Sequence, residues 1–193
     1  MKMTALEKHF VNGPRHTRKV TARTLSLLDR IEHKDGWQYL DVGCGVGAAA
    51  SAIANATNLE VTAVDVDPEQ IAAAQAGPGR PNLHFRVMDA TRLDFRDSEF
   101  DIVATSLATH HIPGWERAFS EMARVLREGG YLVYSDFVVT PWVAKIVRLI
   151  RRADFPLRSV LDSLAAKGAL VKVYEAKHYM RRDLIWRKAA SPL

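Results

Sequence analysis

The stretch that most limits what this chain can become is Leu40-Asp41-Val42-Gly43-Cys44-Gly45-Val46-Gly47. It joins an apolar run over residues 37–42, which reads as a buried strand, to the small-residue segment Ala48–Ala56, which reads as a helix. Glycines at such a joint permit a tight turn and let a ligand approach the backbone closely. The helix that follows turns its free N–H groups towards the same point. A second apolar run, Glu60–Asp65, ends in an acid. An acid so placed can accept hydrogen bonds from the two hydroxyls of a ribose.

The rest of the chain continues this alternation. Pro14 suits the first turn of a helix, and Val20, Thr24, Leu27, Leu28 and Ile31 then recur at helical spacing. Arg15, Arg18, Lys19 and Arg23 fall opposite that apolar face. Residues 68–76 read as a helix with Pro68 near its start, residues 77–81 as a loop, and Leu83–Val87 and Phe100–Ser106 as strands. Residues 115–126 form a helical pattern that Gly129-Gly130 breaks, and 131–135 read as a fifth strand. Strand–helix alternation of this kind predicts an α/β fold, a parallel sheet with helices on both faces.

Composition fits one soluble globular domain. The chain has 193 residues, 48% hydrophobic and 25% charged. The net charge of +5 suggests a polyanion or membrane surface, but the charge is segmented. Residues 1–34 carry a net +5, residues 35–141 a net −8 and residues 142–193 a net +8. Cys44 is the only cysteine, so no intramolecular disulfide is possible and a reducing compartment is expected. No signal-peptide pattern or membrane-length apolar run occurs, which predicts a cytoplasmic protein.

Gly43, Gly45 and Ala48 also satisfy the dinucleotide fingerprint G-x-G-x-x-G/A, so the glycines alone leave nicotinamide enzymes and other nucleoside binders both open. Three features separate them. Asp41 would repel phosphates and attract a ligand bearing ammonium and sulfonium groups. The loop begins near residue 40, behind a helix, rather than at the start of the chain. Only 58 residues follow the fifth strand, too few for a typical separate substrate domain.

Five motifs in order then carry a family resemblance: Asp41-Val42-Gly43-Cys44-Gly45-Val46-Gly47; Val64-Asp65-Val66-Asp67-Pro68; Met88-Asp89-Ala90 with Leu93-Asp94-Phe95; His110-His111-Ile112-Pro113; and Arg124-Val125-Leu126-Arg127-Glu128-Gly129-Gly130. With them the chain resembles the class I S-adenosylmethionine-dependent methyltransferases, and most of all the ubiquinone/menaquinone biosynthesis C-methyltransferases. Asp94, Gly114 and Glu128 depart from the usual residues of that pattern. The resemblance implies a Rossmann-like, doubly wound, seven-stranded sheet with strand seven antiparallel. It implies S-adenosylmethionine as cofactor and S-adenosylhomocysteine as product.

By the same resemblance, Gly43, Gly45 and Gly47 line the methionine moiety, and Asp41 helps hold its amino group. Asp65 binds the ribose hydroxyls, Val66 packs on adenine, and Asp89 and the N–H of Ala90 face its polar edge. Cys44 fills the tight loop; no base or resolving thiol marks it as a nucleophile. Thr105 and Ser106 end the fourth strand near the transferred methyl. His110 or His111 is a candidate general base, with orientation of the loop as the alternative role. No metal site is assigned.

After the fifth strand, residues 142–152 place Trp142, Val143, Ile146, Val147, Leu149 and Ile150 on one arc and Lys145, Arg148, Arg151 and Arg152 on the other. This basic amphipathic helix packs on the sheet, lies on a membrane surface or contacts nucleic acid, and the segment 142–153 is the candidate for peripheral membrane contact. Trp142 and Phe155 are candidates to roof an apolar acceptor. Residues 157–167 resume a helix, and 169–174 and 183–186 read as the last strands. Lys177, Arg181, Arg182, Arg187 and Lys188 read there as solubilising charge. The expected organisation is a single methyltransferase domain over 1–193: a helical flank (1–35), a cofactor-binding core (36–141), the basic helical insertion (142–168) and the final strands (169–193). The expected function is methyl transfer to a small-molecule or lipid-like acceptor. An RNA methyltransferase and a non-catalytic cofactor-binding regulator are the alternatives. Nucleic acid is the less expected partner, since no RNA-binding module or stacking stripe is present.

Overall fold

In a computed structural model of the chain, residues 12–139 and 155–190 are described. The elements in chain order are α1 (Pro14–Leu28), β1 (Gln38–Val42), α2 (Ala48–Ala56), β2 (Glu60–Asp65), α3 (Pro68–Gln75), β3 (Leu83–Val87), β4 (Phe100–Ser106), a 3-10 turn (Thr109–His111), α4 (Trp115–Val125), β5 (Leu126–Phe137), α5 (Arg158–Lys167), β6 (Leu170–Lys177) and β7 (Arg181–Lys188). The strands form one seven-stranded sheet in the order β3-β2-β1-β4-β5-β7-β6. β1 to β5 pair in parallel, and β7 lies antiparallel between β5 and β6. The order turns back on itself between β1 and β4, so a crevice opens beyond their carboxyl ends.

The two-residue period of the strands sorts their side chains into two cores. Leu40 and Val42 of β1, Val103 of β4, Leu132 and Tyr134 of β5, and Leu184 and Trp186 of β7 pack with α4 and α5. Tyr39, Ile102, Val133 and Ile185, the alternate residues of the same strands, pack with α1 and α2. Near-continuous apolar strands are the sequence expression of burial on both faces. Among the described residues, no helix is long and apolar enough to cross a membrane.

Three expectations are revised. Gly129-Gly130 does not separate a helix from a strand; β5 starts at Leu126 and runs through both. Its pairing with β4 shifts register between Phe100 and Ile102, and Gly129 has φ 75°. β5 advances five residues from Leu126 to Tyr131 while β4 advances two, so three extra residues bulge out there, which a glycine at positive φ accommodates. The final hairpin is longer than its apolar cores suggested, because pairing continues through its charged ends: Phe137 lies opposite Arg181, and Leu170 opposite Lys188. Its basic residues are not all solvated. Lys188 Nζ donates to the carbonyls of Ala123 and Leu126 at 2.7 and 2.6 Å, at the end of α4. Arg181 is bound to Asp183. The amphipathic stretch 142–153, with Trp142, lies outside the described residues.

Candidate functional site

One cavity of about 340 Å³ opens where β1, β2 and β4 end, within the roughly 300–1,000 Å³ usual for small-molecule sites. The loops after β1, β2, β3 and β4 surround it, together with one face of α1: His16, Thr17, Val20 and Thr21.

The glycines of the β1 loop do different jobs. Gly43, Gly45 and Gly47 have φ of 77°, 54° and 73°, a region that side-chain-bearing residues avoid. A Cβ on Gly43 would overlap Ala108, and one on Gly47 would overlap the Phe85 ring. Those two allow protein to pack against protein, and Gly47 is not among the residues lining the cavity. A Cβ on Gly45 would meet nothing within 4 Å, so Gly45 is where the loop leaves room for a ligand.

Asp65 ties this loop to the next. Its Oδ2 accepts the Gly45 N–H and its Oδ1 the Asp67 N–H, both at 2.9 Å. The N–H groups of Gly43 and Cys44 both go to the Val64 carbonyl. Asp67 in turn caps α3 by accepting the Glu69 N–H at 3.0 Å, with Pro68 in the first turn. Asp41 is only 4% exposed, yet it lines the cavity, and its carboxylate makes no hydrogen bond to a described residue. Burial first, and the Asp65 carboxylate second, push its pKa up to about 7. Cys44 lines the cavity, with its thiol directed to the Gly45 carbonyl at 3.6 Å. Burial and the nearby Asp41 and Asp65 push that thiol up, so it stays protonated and unreactive at neutral pH.

On the opposite wall, Val66 is 49% exposed, an apolar surface left open beside Met88 and Ala90. Asp89 closes a local turn by accepting the Thr91 N–H and hydroxyl on Oδ1, at 2.8 and 2.9 Å. Its Oδ2 takes no part in that turn.

The end of β4 divides the expected residues. Ser106 lines the cavity, 3.2 Å from the Thr24 hydroxyl. Thr105 does not: it is fully buried and donates to the Val42 carbonyl at 2.9 Å, stitching β4 to β1. Leu107, also on the wall, has φ 52° and donates its N–H to Ser135. A non-glycine residue held there marks local strain beside the site.

The histidines are divided too. His111 lines the cavity and His110 does not. His110 is anchored from behind: its Nδ1 lies 2.6 Å from Oδ1 of Asp136, a fully buried carboxylate at the end of β5. The same carboxylate accepts the Thr109 N–H and hydroxyl and the Phe137 N–H. The Tyr134 hydroxyl completes the network, 2.7 Å from Thr109 Oγ1. The His110 ring packs 4.0 Å from that of His111, edge-on to Phe137 at 5.0 Å, and stacks on Phe155 at 5.5 Å. Phe155 thus covers His110 and does not line the cavity. Sequence reasoning missed Asp136, although an acid at a strand's carboxyl end is a usable signal, and it missed the cavity face of α1, which shows no signal at all.

The family model described as the methyltransferase domain matches residues 40–134. The O-methyltransferase cnsE of Penicillium expansum is 32% identical over 191 residues, covering 86% of this chain and 67% of that protein. Phthiotriol/phenolphthiotriol dimycocerosates methyltransferase 1 of Mycobacterium ulcerans is 32% identical over 157 residues, covering 79% of this chain and 55% of that one. The chain spans 43%, 46% and 55% of the length of three curated relatives it matches. In fold it is similar to an S-adenosylmethionine dependent methyltransferase from Mesorhizobium loti, with a TM-score of 0.72 at 15% identity, covering 84% of this chain and 96% of that one. Since the model spans the sheet from β1 to β5 and the likeness to cnsE runs through most of both proteins, this chain belongs to the class I S-adenosylmethionine-dependent methyltransferases.

Proposed function

We propose that the chain binds S-adenosylmethionine in this cavity and transfers its methyl group to a small-molecule acceptor with an apolar body. The observation that carries the reading is the convergence of Asp41, Asp65 and Asp89 on one cavity, around Gly45, the cavity-lining glycine whose Cβ space is open. The residues fit the cofactor. Asp41 and the room at Gly45 suit an amino-acid moiety with a cationic end. Each Asp65 oxygen uses one lone pair on the loop and retains another for a ribose hydroxyl. Val66 and Met88 offer an apolar wall for adenine, with Asp89 Oδ2 and the Ala90 N–H at its edge. An anionic pyrophosphate would meet three carboxylates here, which disfavours a dinucleotide.

When bound, the cofactor supplies an electrophilic methyl group, so no enzyme nucleophile is needed. The chain's tasks are to hold the acceptor in line, exclude water and accept a proton where the acceptor must lose one. Val20, Leu107, Ala108, Ile112 and Pro113 form the apolar lining for the acceptor. His111 is the candidate proton acceptor. His110, locked to Asp136, is a positioning residue for the turn that carries it. An apolar acceptor agrees with relatives named for lipid-like substrates such as the phthiotriol dimycocerosates. The basic stretch 142–153 would give a cytoplasmic protein a peripheral contact with an anionic membrane.

Thermal unfolding tests the cofactor assignment directly. S-adenosylhomocysteine at about 100 times its Kd should add about 2.7 kcal/mol, raising Tm by roughly 5–10 °C for a chain of this size. NAD should add nothing; stabilisation by NAD alone would overturn the reading. An acceptor screen that reads S-adenosylhomocysteine release then tests turnover.

Asp41 predicts a pH signature. In the empty chain the acid is held protonated up to about 7, whereas the cofactor's ammonium favours the carboxylate. Binding below that pH must therefore expel a proton. Affinity should rise with pH by up to about tenfold per unit and level off above neutrality, as calorimetry would show. Asp41→Asn should flatten the profile. The same shift makes the empty chain lose stability as pH rises towards 7, because the folded state holds a proton that the unfolded state has released.

A further inference from the structure

The connection from β3 to β4, residues 88–99, contains no helix. Crossovers between parallel strands usually contain one, and a helix supplies its own backbone with hydrogen-bond partners. This connection must find them elsewhere. It also carries Met88, Asp89, Ala90 and Thr91, which line the cavity. Whatever holds it in shape therefore sets one wall of the site.

Two side chains of α4 do the holding. Every N–H of the Arg124 guanidinium is used. Nε and Nη2 grip the two carboxylate oxygens of Glu121, each at 2.8 Å. Nη2 also donates to the Leu93 carbonyl at 2.9 Å, and Nη1 donates to the Phe95 carbonyl at 2.9 Å and to Asp97 Oδ1 at 2.7 Å. Glu121 Oε2 in turn accepts the Leu93 N–H at 2.9 Å. Both backbone polar groups of Leu93 thus end on one ion pair, while its side chain is buried in the core beside α4. The hydrogen bond from Arg124, ahead of every other influence, holds the Glu121 carboxyl below its usual range, so the pair stays charged.

This clamp sits directly behind the turn that faces the cavity. The Arg92 N–H closes that turn on the Asp89 carbonyl at 2.9 Å, and the Thr91 N–H closes it on Asp89 Oδ1. Leu93 is the next residue. With Val87 paired to Asp65 in the sheet and Leu93 held by α4, residues 88–92 are fixed at both ends. Neither Arg124 nor Glu121 lines the cavity, so both act through the loop.

We infer that Arg124, together with Glu121, is a positioning residue for base recognition: it holds Asp89 Oδ2 and the Ala90 N–H in the arrangement that the amino group and N1 of adenine require. This rests on the cofactor assignment proposed above and deepens it. Adenine donates from its amino group and accepts at N1. Hypoxanthine reverses both, presenting a carbonyl to the carboxylate and an N–H to the N–H. A rigid edge rejects that base, whereas a loose one bends away from it.

Calorimetry on the full chain with S-adenosylhomocysteine and S-inosylhomocysteine provides the test. Wild type should bind the adenine form more tightly by about tenfold or more, since each mismatched group forfeits a hydrogen bond. Arg124→Met should weaken S-adenosylhomocysteine by about that factor and leave S-inosylhomocysteine nearly unchanged, because only the first ligand uses the ordered loop. A merely structural role would lower Tm and weaken both ligands alike. Arg124→Lys keeps a charge beside Glu121 without the fork. It should fold as wild type does and still lose most of the preference, and it stands in should Arg124→Met fail to fold. A preference that survives in these variants, or equal weakening of both ligands, would overturn the inference. So would the same loss in Asp97→Ala, which leaves both carbonyl contacts in place. Equal binding of the two ligands by wild type would overturn this inference alone. Binding of neither would overturn the cofactor assignment and this inference with it.

Discussion

Asp65→Ala should weaken S-adenosylhomocysteine binding by about two orders of magnitude. In the proposed role the carboxylate makes two charge-assisted bonds to ribose hydroxyls, and bonds of that kind are worth about 1.5 kcal/mol or more each. A second effect adds to the first. Asp65 also holds the Gly45 N–H and the Asp67 N–H at 2.9 Å, so the variant loosens the loop that the ligand must meet already shaped. The fold should persist, because Asp65 is only partly buried and no core cluster includes it. Calorimetry checks the affinity, and circular dichroism the fold. Asp65→Asn separates the two effects: its carbonyl keeps one acceptor, so loop order should partly survive while ribose binding still falls. Unchanged affinity in Asp65→Ala would mean that the cavity holds a different ligand.

Asp136→Ala should produce the largest loss of stability of any change near the site, about 3–5 kcal/mol. The fully buried carboxylate is the shared acceptor for His110 Nδ1, the N–H groups of Thr109 and Phe137, and the Thr109 hydroxyl. Removing it strands these donors, and through Thr109 the Tyr134 hydroxyl, where water cannot replace it. The consequence reaches His111, because the 3-10 turn that carries it loses its anchor. Denaturant unfolding gives the magnitude. His110→Phe is the companion variant: it keeps the ring packing against Phe137 and Phe155 and leaves the backbone donors on Asp136. It should cost much less stability, yet still lower turnover. A loss below about 1 kcal/mol in Asp136→Ala would show that the network is not a unit.

The parts of this protein that were legible without a structure share one property: they are short in sequence. The glycine loop, the acid ending β2, Pro68 at the start of α3 and the acid after β3 each act through backbone geometry a few residues long. Their residue types report directly on what the chain does there. The alternation of apolar strands and helices is local in the same way, and it sufficed for the sheet. The misread elements depend on pairing with distant partners. Gly129-Gly130 reads as a break until β4 lies beside it and turns the same residues into a bulge. Lys188 reads as solvated until it reaches the last carbonyls of α4.

The site divides along the same line. The sequence by itself determined the loops after β1, β2 and β3 that wall the cavity, because they follow consecutive strands and need no distant segment to be recognisable. Only the tertiary structure decided the walls added by α1 and by the turn after β4. The docking of α1 sets which of its residues face the cavity, and an amphipathic pattern does not specify that rotation closely enough to place His16, Thr17, Val20 and Thr21 there. The pairing of β5 with β7 brings Ser135 against Asp183 and leaves Asp183 saturated, and the turn after β4 sets His110 on Asp136. Charge along a chain is additive and visible in its residues; which charges lose their water depends on what packs over them, and that is settled by contacts between residues far apart in sequence.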